Sequence, residues 1–314
     1  MICFAMKRTL SHANWEFDRF EALAESKMLE YNLKKSSIVI LGKGKARTAL
    51  EEKFLENPPL LYGKPLSIKS QGTYLGEEIG GSLSNCITLT VNKRIGLVKK
   101  SIFEIKHVIE DCRSKVAGSI QTGLLLWESC LASYLFNNAS TWMDISRKDV
   151  NRLIKIQNLF LNMLLGVYKC PSVMMYWDLK MLTVPMRLLK MKLNLYHHIE
   201  CQDKKAISFQ MMQIQKKLKL PSLHWEVLPF LNKHQILDVK IYPKAQWKHL
   251  VNDLIHLENR QTLIDWSKNY KKVDSLSLEL EEYKVKGYFS QMNLADSRLK
   301  LLRLSAGLNP KHAE

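Results

Sequence analysis

The chain has 314 residues, of which 46% are hydrophobic, and its 47 Lys and Arg against 30 Asp and Glu give a formal net charge of +17. This apolar content excludes a disordered tail and a small disulfide-held scaffold, because it is enough to bury a sizeable core. The surplus of positive charge indicates a polyanionic partner, which is either nucleic acid or an acidic membrane surface.

Several features of the chain favour an intracellular protein. The six cysteines are scattered without a CxxC pair, so we expect reduced thiols rather than a disulfide framework. The longest apolar stretch, residues 123–136, contains Glu128 and is too short to cross a bilayer. The N-terminal residues lack the apolar core of a signal peptide. We therefore expect a protein of the nucleus or cytoplasm without a membrane partner.

The N-terminal part of the chain predicts a small α/β segment. Apolar residues at helical spacing indicate a helix over residues 12–30, and the apolar run of residues 37–42 indicates a buried strand. Residues 43–47 are typical of a basic loop or of the start of a helix. Two short strands around a Gly63–Lys64 turn and a third strand over residues 74–79 complete this segment.

From residue 83 onward the pattern is helical. Residues 117–136 are almost wholly apolar and predict a buried helix, whereas residues 216–222 and Pro229 predict a linker. Amphipathic helices are predicted over residues 88–115, 147–165, 185–201, 244–270 and 276–304. The expected fold is therefore mainly α with a small N-terminal α/β part.

A series of short elements follows a recognisable order along the chain. Asn32-Leu-Lys-Lys-Ser36 precedes the apolar strand, and Tyr74-Leu-Gly76 follows it. The later elements are Arg94 near the start of a long helix, Trp127-Glu128, Trp142, Gln157, Phe160, Cys170-Pro171, Lys192 and His198. Over residues 20–305 this series resembles the palm-to-thumb segment of the non-LTR (LINE-type) retrotransposon reverse transcriptases.

The resemblance implies a division of the chain into three parts. Residues 1–82 would be a palm remnant with remnant strands and a primer-grip β-hairpin. Residues 83–202 would be a helical thumb-like domain, and residues 203–314 a helical C-terminal extension. Because such a segment holds the duplex of RNA template and DNA primer, the resemblance implies nucleic acid as the partner. The parent enzyme would be an RNA-directed DNA polymerase.

The residues that perform polymerase chemistry are missing from the sequence. Intact members of the family carry an Ala-Asp-Asp element ahead of the position of Asn32, and its carboxylates hold Mg²⁺. This chain contains no Asp-Asp dipeptide, and it ends at Glu314 without the Cys/His zinc knuckle that often follows in the family. We therefore expect a fragment truncated on both sides, with no polymerase activity, cofactor or small-molecule substrate of its own. The alternatives are a non-enzymatic nucleic-acid-binding or scaffold protein derived from such an element, and an incorrect gene model.

The resemblance assigns candidate nucleic-acid-binding residues to the palm remnant. Lys35 corresponds to a family lysine that acts as a proton donor near the departing pyrophosphate. The alternative interpretation is an exposed lysine before an edge strand. Asn32 belongs to the same element, or it shapes the turn before the strand through its side-chain amide. Tyr74, Leu75 and Gly76 correspond to the primer grip, where a glycine allows close approach of the primer, or to an ordinary strand with a packed tyrosine.

The predicted helix over residues 88–115 carries candidates for phosphate contacts. These are Arg94, Lys99, Lys100 and Lys106. A solvated basic face is the competing interpretation. Trp127 and Trp142 lie in apolar sequence, which favours core packing over base stacking. His197 and Cys201 are spaced like a pair of metal ligands, but two ligands do not make a structural zinc site, so no metal is predicted.

Overall fold

A computed structural model of the chain describes most residues up to Lys268. The described residues are 10–30, 32, 36–42, 44–74, 76–114, 119–167 and 170–268. The protein is mainly helical with a few small sheets, which confirms the mainly α prediction. The chain divides into two compact units, Met1–Lys93 and Arg94–Glu314. The helix predicted over residues 276–304 lies outside the described residues.

Among the described residues, the first unit contains short strands and two complete helices. Its elements are α1 (Leu10–Ser26), β1 (Ser37–Val39), α2 (Lys45–Glu56), β2 (Leu60–Leu61), β3 (Lys64–Pro65), β4 (Ser67–Lys69), β5 (Gln71–Tyr74) and β6 (Glu77–Gly80). Strand β1 pairs in parallel with β4, with Ser37 opposite Ser67, whereas β2–β3 and β5–β6 are antiparallel. A parallel pair needs a crossover connection, and α2 lies in that connection. The predicted buried strand over residues 37–42 is shorter than expected, since β1 ends at Val39. The residues of β1 are only partly buried.

Residues with positive φ place the chain reversals of the first unit. Tyr62 (φ 52°) and Gly63 (φ 67°) lie between β2 and β3, so the turn begins before the predicted Gly63–Lys64 pair. Gly76 (φ 84°) lies between β5 and β6, where glycine adopts this conformation at little cost. The prediction of a single strand over residues 74–79 is therefore wrong, because the chain reverses within it.

Helix α3 (Leu83–Glu104) begins in the first unit and continues into the second. The helices that follow are α4 (Lys106–Ser114), α5 (Ser119–Leu126), α6 (Ser133–Leu135), α7 (Arg147–Leu165), α8 (Ser172–Asp178), α9 (Val184–Glu200), α10 (Ile207–Lys217), α11 (Leu223–Lys233) and α12 (Lys244–Ser267). A π-helix over Trp127–Ala132 joins α5 to α6, and 3-10 turns occupy Ala139–Thr141 and Val239–Ile241. Helices α10, α11 and α12 all contact α9, so they belong to the same unit as the helices before them.

The best-predicted helices have clear end signals in the sequence. The side-chain oxygen of Ser146 accepts the backbone N–H of Asp149 at 3.1 Å and so caps α7. Gly166 ends the same helix in the left-handed conformation, with φ 62°. Pro185 lies in the first turn of α9, where its missing N–H costs nothing. These signals explain why the predictions over residues 147–165 and 185–201 are confirmed.

Two other helix predictions and one linker prediction need correction. The helix predicted over residues 88–115 starts earlier and is interrupted between α3 and α4. The helix predicted to be buried over residues 117–136 exposes Leu125 and Tyr134, so only one side of it is covered. The predicted linker at Pro229 is wrong, since this proline lies inside α11. The buried apolar side chains of α11 offset the backbone hydrogen bond that a proline removes.

A continuous apolar core fills the space between α9, α11 and α12. Its largest members are Tyr196, Phe230 and Trp247, which are all buried. Trp127 and Trp142 are also buried, at 0% and 1% exposure, which confirms core packing for both. This core fixes the long helices of the second unit, so their outer faces are presented to solvent as rigid surfaces.

Candidate nucleic-acid interface

The β5–β6 hairpin of the first unit holds the predicted primer-grip residues. Tyr74 is opposite Glu77 at the end of the hairpin and is 40% exposed. Gly76 forms the turn, whereas Leu75 lies outside the described residues. The tyrosine is therefore available at the hairpin tip instead of being packed in the core.

Hydrogen bonds attach this hairpin to the beginning of α3. The backbone N–H of Glu78 donates to Thr90 Oγ1 at 2.7 Å, and the Thr73 hydroxyl donates to the Glu78 carboxylate at 2.8 Å. The same carboxylate forms an ion pair with Lys93. Partial burial raises the pKa of Glu78, but the hydrogen bonds from Lys93 and Thr73 outweigh it and leave this pKa below its usual value. The Glu78 carboxylate is thus a negative charge held in place, and it forms its ion pair with Lys93 of the same unit.

The element around Asn32 is described only in part. Asn32 is exposed, and its backbone carbonyl accepts a hydrogen bond from the Ser36 hydroxyl at 2.9 Å. Ser36 is the residue immediately before β1, and the acceptor is a main-chain atom, so this bond does not use the Asn32 side chain. Lys35 lies outside the described residues.

Arg94 lies in the interior of the second unit and not on a surface. Its side chain donates to the backbone carbonyl of Asn137, and its guanidinium lies 5.4 Å from the ring centre of Trp142. At 4% exposure it is out of reach of a phosphate. The prediction of a phosphate contact at Arg94 is therefore corrected, since this arginine fastens α3 to the chain after α6. Sequence reasoning missed this because the acceptor, a backbone carbonyl, is brought close only by the fold.

The outer face of α3 and α4 brings the other predicted cations together. Val98, Ile102 and Ile109 are buried, so the opposite side of these two helices faces solvent. Five exposed residues lie along that side, and we call them, together with Gly96, the α3–α4 cationic face. They are Lys99, Lys100, Phe103, Lys106 and His107. Helical hydrogen bonds continue through Ile105, whose N–H donates to the Ser101 carbonyl and whose carbonyl accepts the N–H of Ile109. The spacings of three, four and seven residues therefore place the five residues on adjoining turns of one face.

Phe103 and Gly96 are two members of this face that the sequence analysis missed. Phe103 is 51% exposed and has lysines one turn before it and one turn after it. Gly96 is exposed in the middle of α3, and a Cβ added there would meet nothing within 4 Å. A glycine inside a helix costs about 1 kcal/mol relative to alanine, so packing does not account for it. Gly96 and Phe103 are seven residues apart, and this helical spacing is the feature of the sequence that would have placed both on one face.

Ion pairs along this face are weak and leave its cations accessible. Lys100 Nζ lies 3.6 Å from a Glu104 oxygen, and Lys106 Nζ lies 3.7 Å from a Glu110 oxygen. Both are exposed pairs within a helix, which contribute about 0.3 to 0.5 kcal/mol each. Lys99 has no ion pair among the residues that the structure describes. All three ammonium groups are therefore free to exchange toward a stronger anion such as a phosphate.

The His197 and Cys201 pair has a structural explanation. His197 Nε2 lies 2.9 Å from the Tyr242 carbonyl oxygen and 3.5 Å from Cys201 Sγ, and its ring stacks on Trp247 at 4.9 Å. Partial burial raises the pKa of the Cys201 thiol, which disfavours the thiolate that a metal needs. Within the described ranges, no three His, Cys, Asp or Glu side chains are grouped to hold a metal ion.

Comparison with known proteins identifies no relative of the chain. In the part of the chain that the structure describes, no helix is long and apolar enough to cross a membrane. The chain matches no protein-family model, no curated protein and no solved structure. Any assignment of function therefore depends on the residues and surfaces described above.

Proposed function

We propose that the chain is a segment of a retrotransposon RNA-directed DNA polymerase that holds the template–primer duplex. In this proposal the strands and the β5–β6 hairpin of the first unit are the palm remnant, and the helices from α3 onward are the thumb and its extension. The observation that carries the proposal is the α3–α4 cationic face, where exposed lysines surround an exposed phenylalanine.

The dimensions of this face suit a nucleic-acid backbone. Lys99 and Lys106 are seven residues apart, or about 10 Å along the helix axis. Phosphates recur at about 3.4 Å per strand along a duplex, so lysines at this separation reach phosphates on one strand without distortion. Gly96 lets a strand approach the α3 backbone closely at one end of the face. Phe103 offers a flat apolar surface for a sugar or an unpaired base between the phosphate contacts.

Catalysis is left to a part of the parent enzyme that this sequence lacks. Two-metal phosphoryl transfer requires paired carboxylates that position the attacking and leaving oxygens. No Asp-Asp dipeptide is present, so the chain supplies binding without the chemical step. The purified chain should not extend a DNA primer on an RNA template in Mg²⁺, and extension by a homogeneous sample would contradict this part of the proposal.

The salt dependence of duplex binding tests the interface. Binding of an RNA–DNA hybrid is measured by fluorescence anisotropy over a range of salt concentrations. Changing Lys99, Lys100 and Lys106 together to alanine should reduce the slope of log K against log salt by about 2 to 3. A control that changes Lys53, Lys244 and Lys248, which are exposed elsewhere, removes the same charge. Equal effects of the two variants would show that this face is not the interface.

A non-enzymatic nucleic-acid-binding protein derived from such an element is the second candidate, favoured by the missing aspartates. The two candidates differ in what the chain prefers to bind. A segment that holds a template–primer pair should bind a duplex with a recessed primer end more tightly than a blunt duplex of equal length. Equal affinity favours the second candidate. Failure to bind any nucleic acid excludes both and favours a scaffold role.

A further inference from the structure

Helix α10 carries an exposed apolar stripe that none of the proposed nucleic-acid contacts uses. Ile207, Met211, Ile214 and Leu218 are 79%, 50%, 49% and 59% exposed. Their spacing of four, three and four residues places them on one side of the helix. The opposite side packs inward through Met212, which is buried. Helix α10 thus has one apolar side that is covered and a second that is exposed. The four residues of the exposed side are called the α10 stripe.

The chain around the α10 stripe is basic. Lys204 and Lys205 precede α10, while Lys217 and Lys219 lie at its end, and all four are exposed. No Asp or Glu occurs between Lys204 and Trp225. A partner that buries this stripe therefore needs apolar residues at matching spacing with carboxylates beside them. A partner with apolar residues alone would leave the positive charges of these lysines without negative charges beside them.

One segment of the same sequence, residues 273–283, has this chemistry, and it lies outside the described residues. Its apolar residues at spacings of three, four and three are Val273, Leu276, Leu280 and Tyr283. Its acidic residues, with no Lys or Arg among them, are Asp274, Glu279, Glu281 and Glu282. Alternating spacings of three and four are the pattern by which two helices pack along a common seam.

The geometry of α12 separates this segment from α10 of the same copy. Trp247, near the start of α12, stacks on His197 near the end of α9, whereas Asn259 bonds to the backbone before α9. Helix α10 lies beside the end of α9, because Lys216 forms an ion pair with Glu200 and Lys240, which pairs with the same Glu200, lies over the ring of Phe209. Lys268 is about 30 Å farther along the α12 axis. The residues from there to Val273 span at most about 17 Å, which is too short to return to the level of Trp247 at the end of α9.

We propose that residues 273–283 of a second copy bind along the α10 stripe. A symmetric exchange forms two such contacts, so that each copy supplies one segment and one stripe. Each contact brings the apolar residues of the segment onto the stripe and its carboxylates onto the surrounding lysines. Two linked contacts bind more tightly than one, because the second forms within the complex.

A labelled peptide of residues 273–283 tests the contact directly. The peptide should bind the full chain saturably, and the double variant Ile207→Ser/Ile214→Ser should weaken that binding by about tenfold or more. Both positions are exposed, so the variant should keep the native circular dichroism and melting temperature. A matched control, Leu125→Ser/Leu257→Ser, changes two exposed leucines elsewhere and should leave peptide binding unchanged. A peptide with its four acids replaced by amides should bind more weakly.

Sedimentation of the full chain supplies the second readout. The unmodified chain should form a dimer that the Ile207→Ser/Ile214→Ser variant loses and the control retains. A chain that stays monomeric and does not bind the peptide would overturn the proposal, as would equal peptide binding by both variants. Binding to anionic phospholipid vesicles that is lost only in the α10 variant, without peptide binding, would assign the stripe to a membrane surface instead.

Discussion

Asn259 on α12 holds Thr183, the residue before α9, through its side chain. Asn259 Oδ1 accepts the backbone N–H of Thr183 at 2.9 Å, and Asn259 Nδ2 donates to the Met181 carbonyl at 2.9 Å. Gln157 on α7 donates to the Leu182 carbonyl between them at 3.0 Å. Two buried amides thus satisfy the backbone of the turn between α8 and α9, and they join three helices at one point.

Replacing Asn259 with leucine should destabilise the protein strongly. The change removes two hydrogen bonds and leaves a buried N–H and a buried carbonyl unsatisfied, which costs about 2 to 4 kcal/mol. Urea unfolding followed by circular dichroism measures the free energy of unfolding. The control Gln261→Leu changes an exposed amide on the same helix and should alter that free energy by less than about 0.5 kcal/mol. Equal stabilities of the two variants would contradict the proposed role of Asn259.

The sequence predicted the long helices well and their connections poorly. Ser146 and Gly166 are the capping residues at the two ends of α7, so these ends can be predicted from the local sequence alone. The hairpin turn at Gly76 was missed because residues 74–79 have the composition of one strand, and the reversal depends on pairing with β5. Helix α8 was missed because it is only seven residues long and buried, so it shows no amphipathic period.

The candidate interface was predicted only in part, for a similar reason. Lys99, Lys100 and Lys106 could be chosen by charge and helical spacing alone. Arg94 has the same charge and a neighbouring position in the sequence, yet it is buried because Trp142 and the Asn137 carbonyl surround it. Which cation of a helix faces the core depends on residues distant in the sequence.

Acid should weaken the fold by protonating Glu200. This carboxylate is 6% exposed and forms ion pairs with Lys216 and Lys240. Burial raises the pKa of Glu200, but the hydrogen bonds and charges of the two lysines outweigh it, so the pKa lies below the usual 4.5. A lowered pKa contributes stability that is present above the unfolded-state value and is lost as pH falls through the folded-state value.

The variant Glu200→Gln measures this contribution. At neutral pH it should lower the free energy of unfolding by about 1 to 2 kcal/mol, because both lysines remain partly exposed and regain water. The difference between the variant and the unmodified chain should shrink as the pH falls below about 4.5. A difference that stays constant from neutral to acid pH would show that the charge of Glu200 is not responsible.

The cysteines should differ widely in reactivity. Burial, with the nearby carboxylate of Asp178, raises the pKa of Cys170 to about 12, whereas Cys130 is exposed. At pH 8 almost no Cys170 side chain is then a thiolate, the form that reacts with alkylating reagents. Mass spectrometry of the native chain after brief iodoacetamide treatment should show modification at Cys130 and none at Cys170. In denaturant the two should react at similar rates, and rapid native labelling of Cys170 would contradict its burial.

Two glycines in helices of the second unit should respond in opposite ways to alanine. At Gly123 an added Cβ would clash with the fully buried Leu164 side chain, so Gly123→Ala forces that side chain or its helix to shift and should cost about 1 to 3 kcal/mol. At Gly96 the Cβ meets nothing, so Gly96→Ala should raise the free energy of unfolding by about 0.5 to 1 kcal/mol through helix propensity.

The effect of Gly96→Ala on duplex binding then separates function from stability. If a nucleic-acid strand approaches the α3 backbone at Gly96, the added methyl group should weaken binding of the RNA–DNA hybrid even though the protein is more stable. Since neither variant changes charge, the salt slope should stay the same in both. Anisotropy titrations give the affinity for the RNA–DNA hybrid, and urea unfolding of the same sample gives the free energy of unfolding. A stabilised Gly96→Ala protein with unchanged affinity would remove Gly96 from the interface and leave the lysines and Phe103 as its candidates.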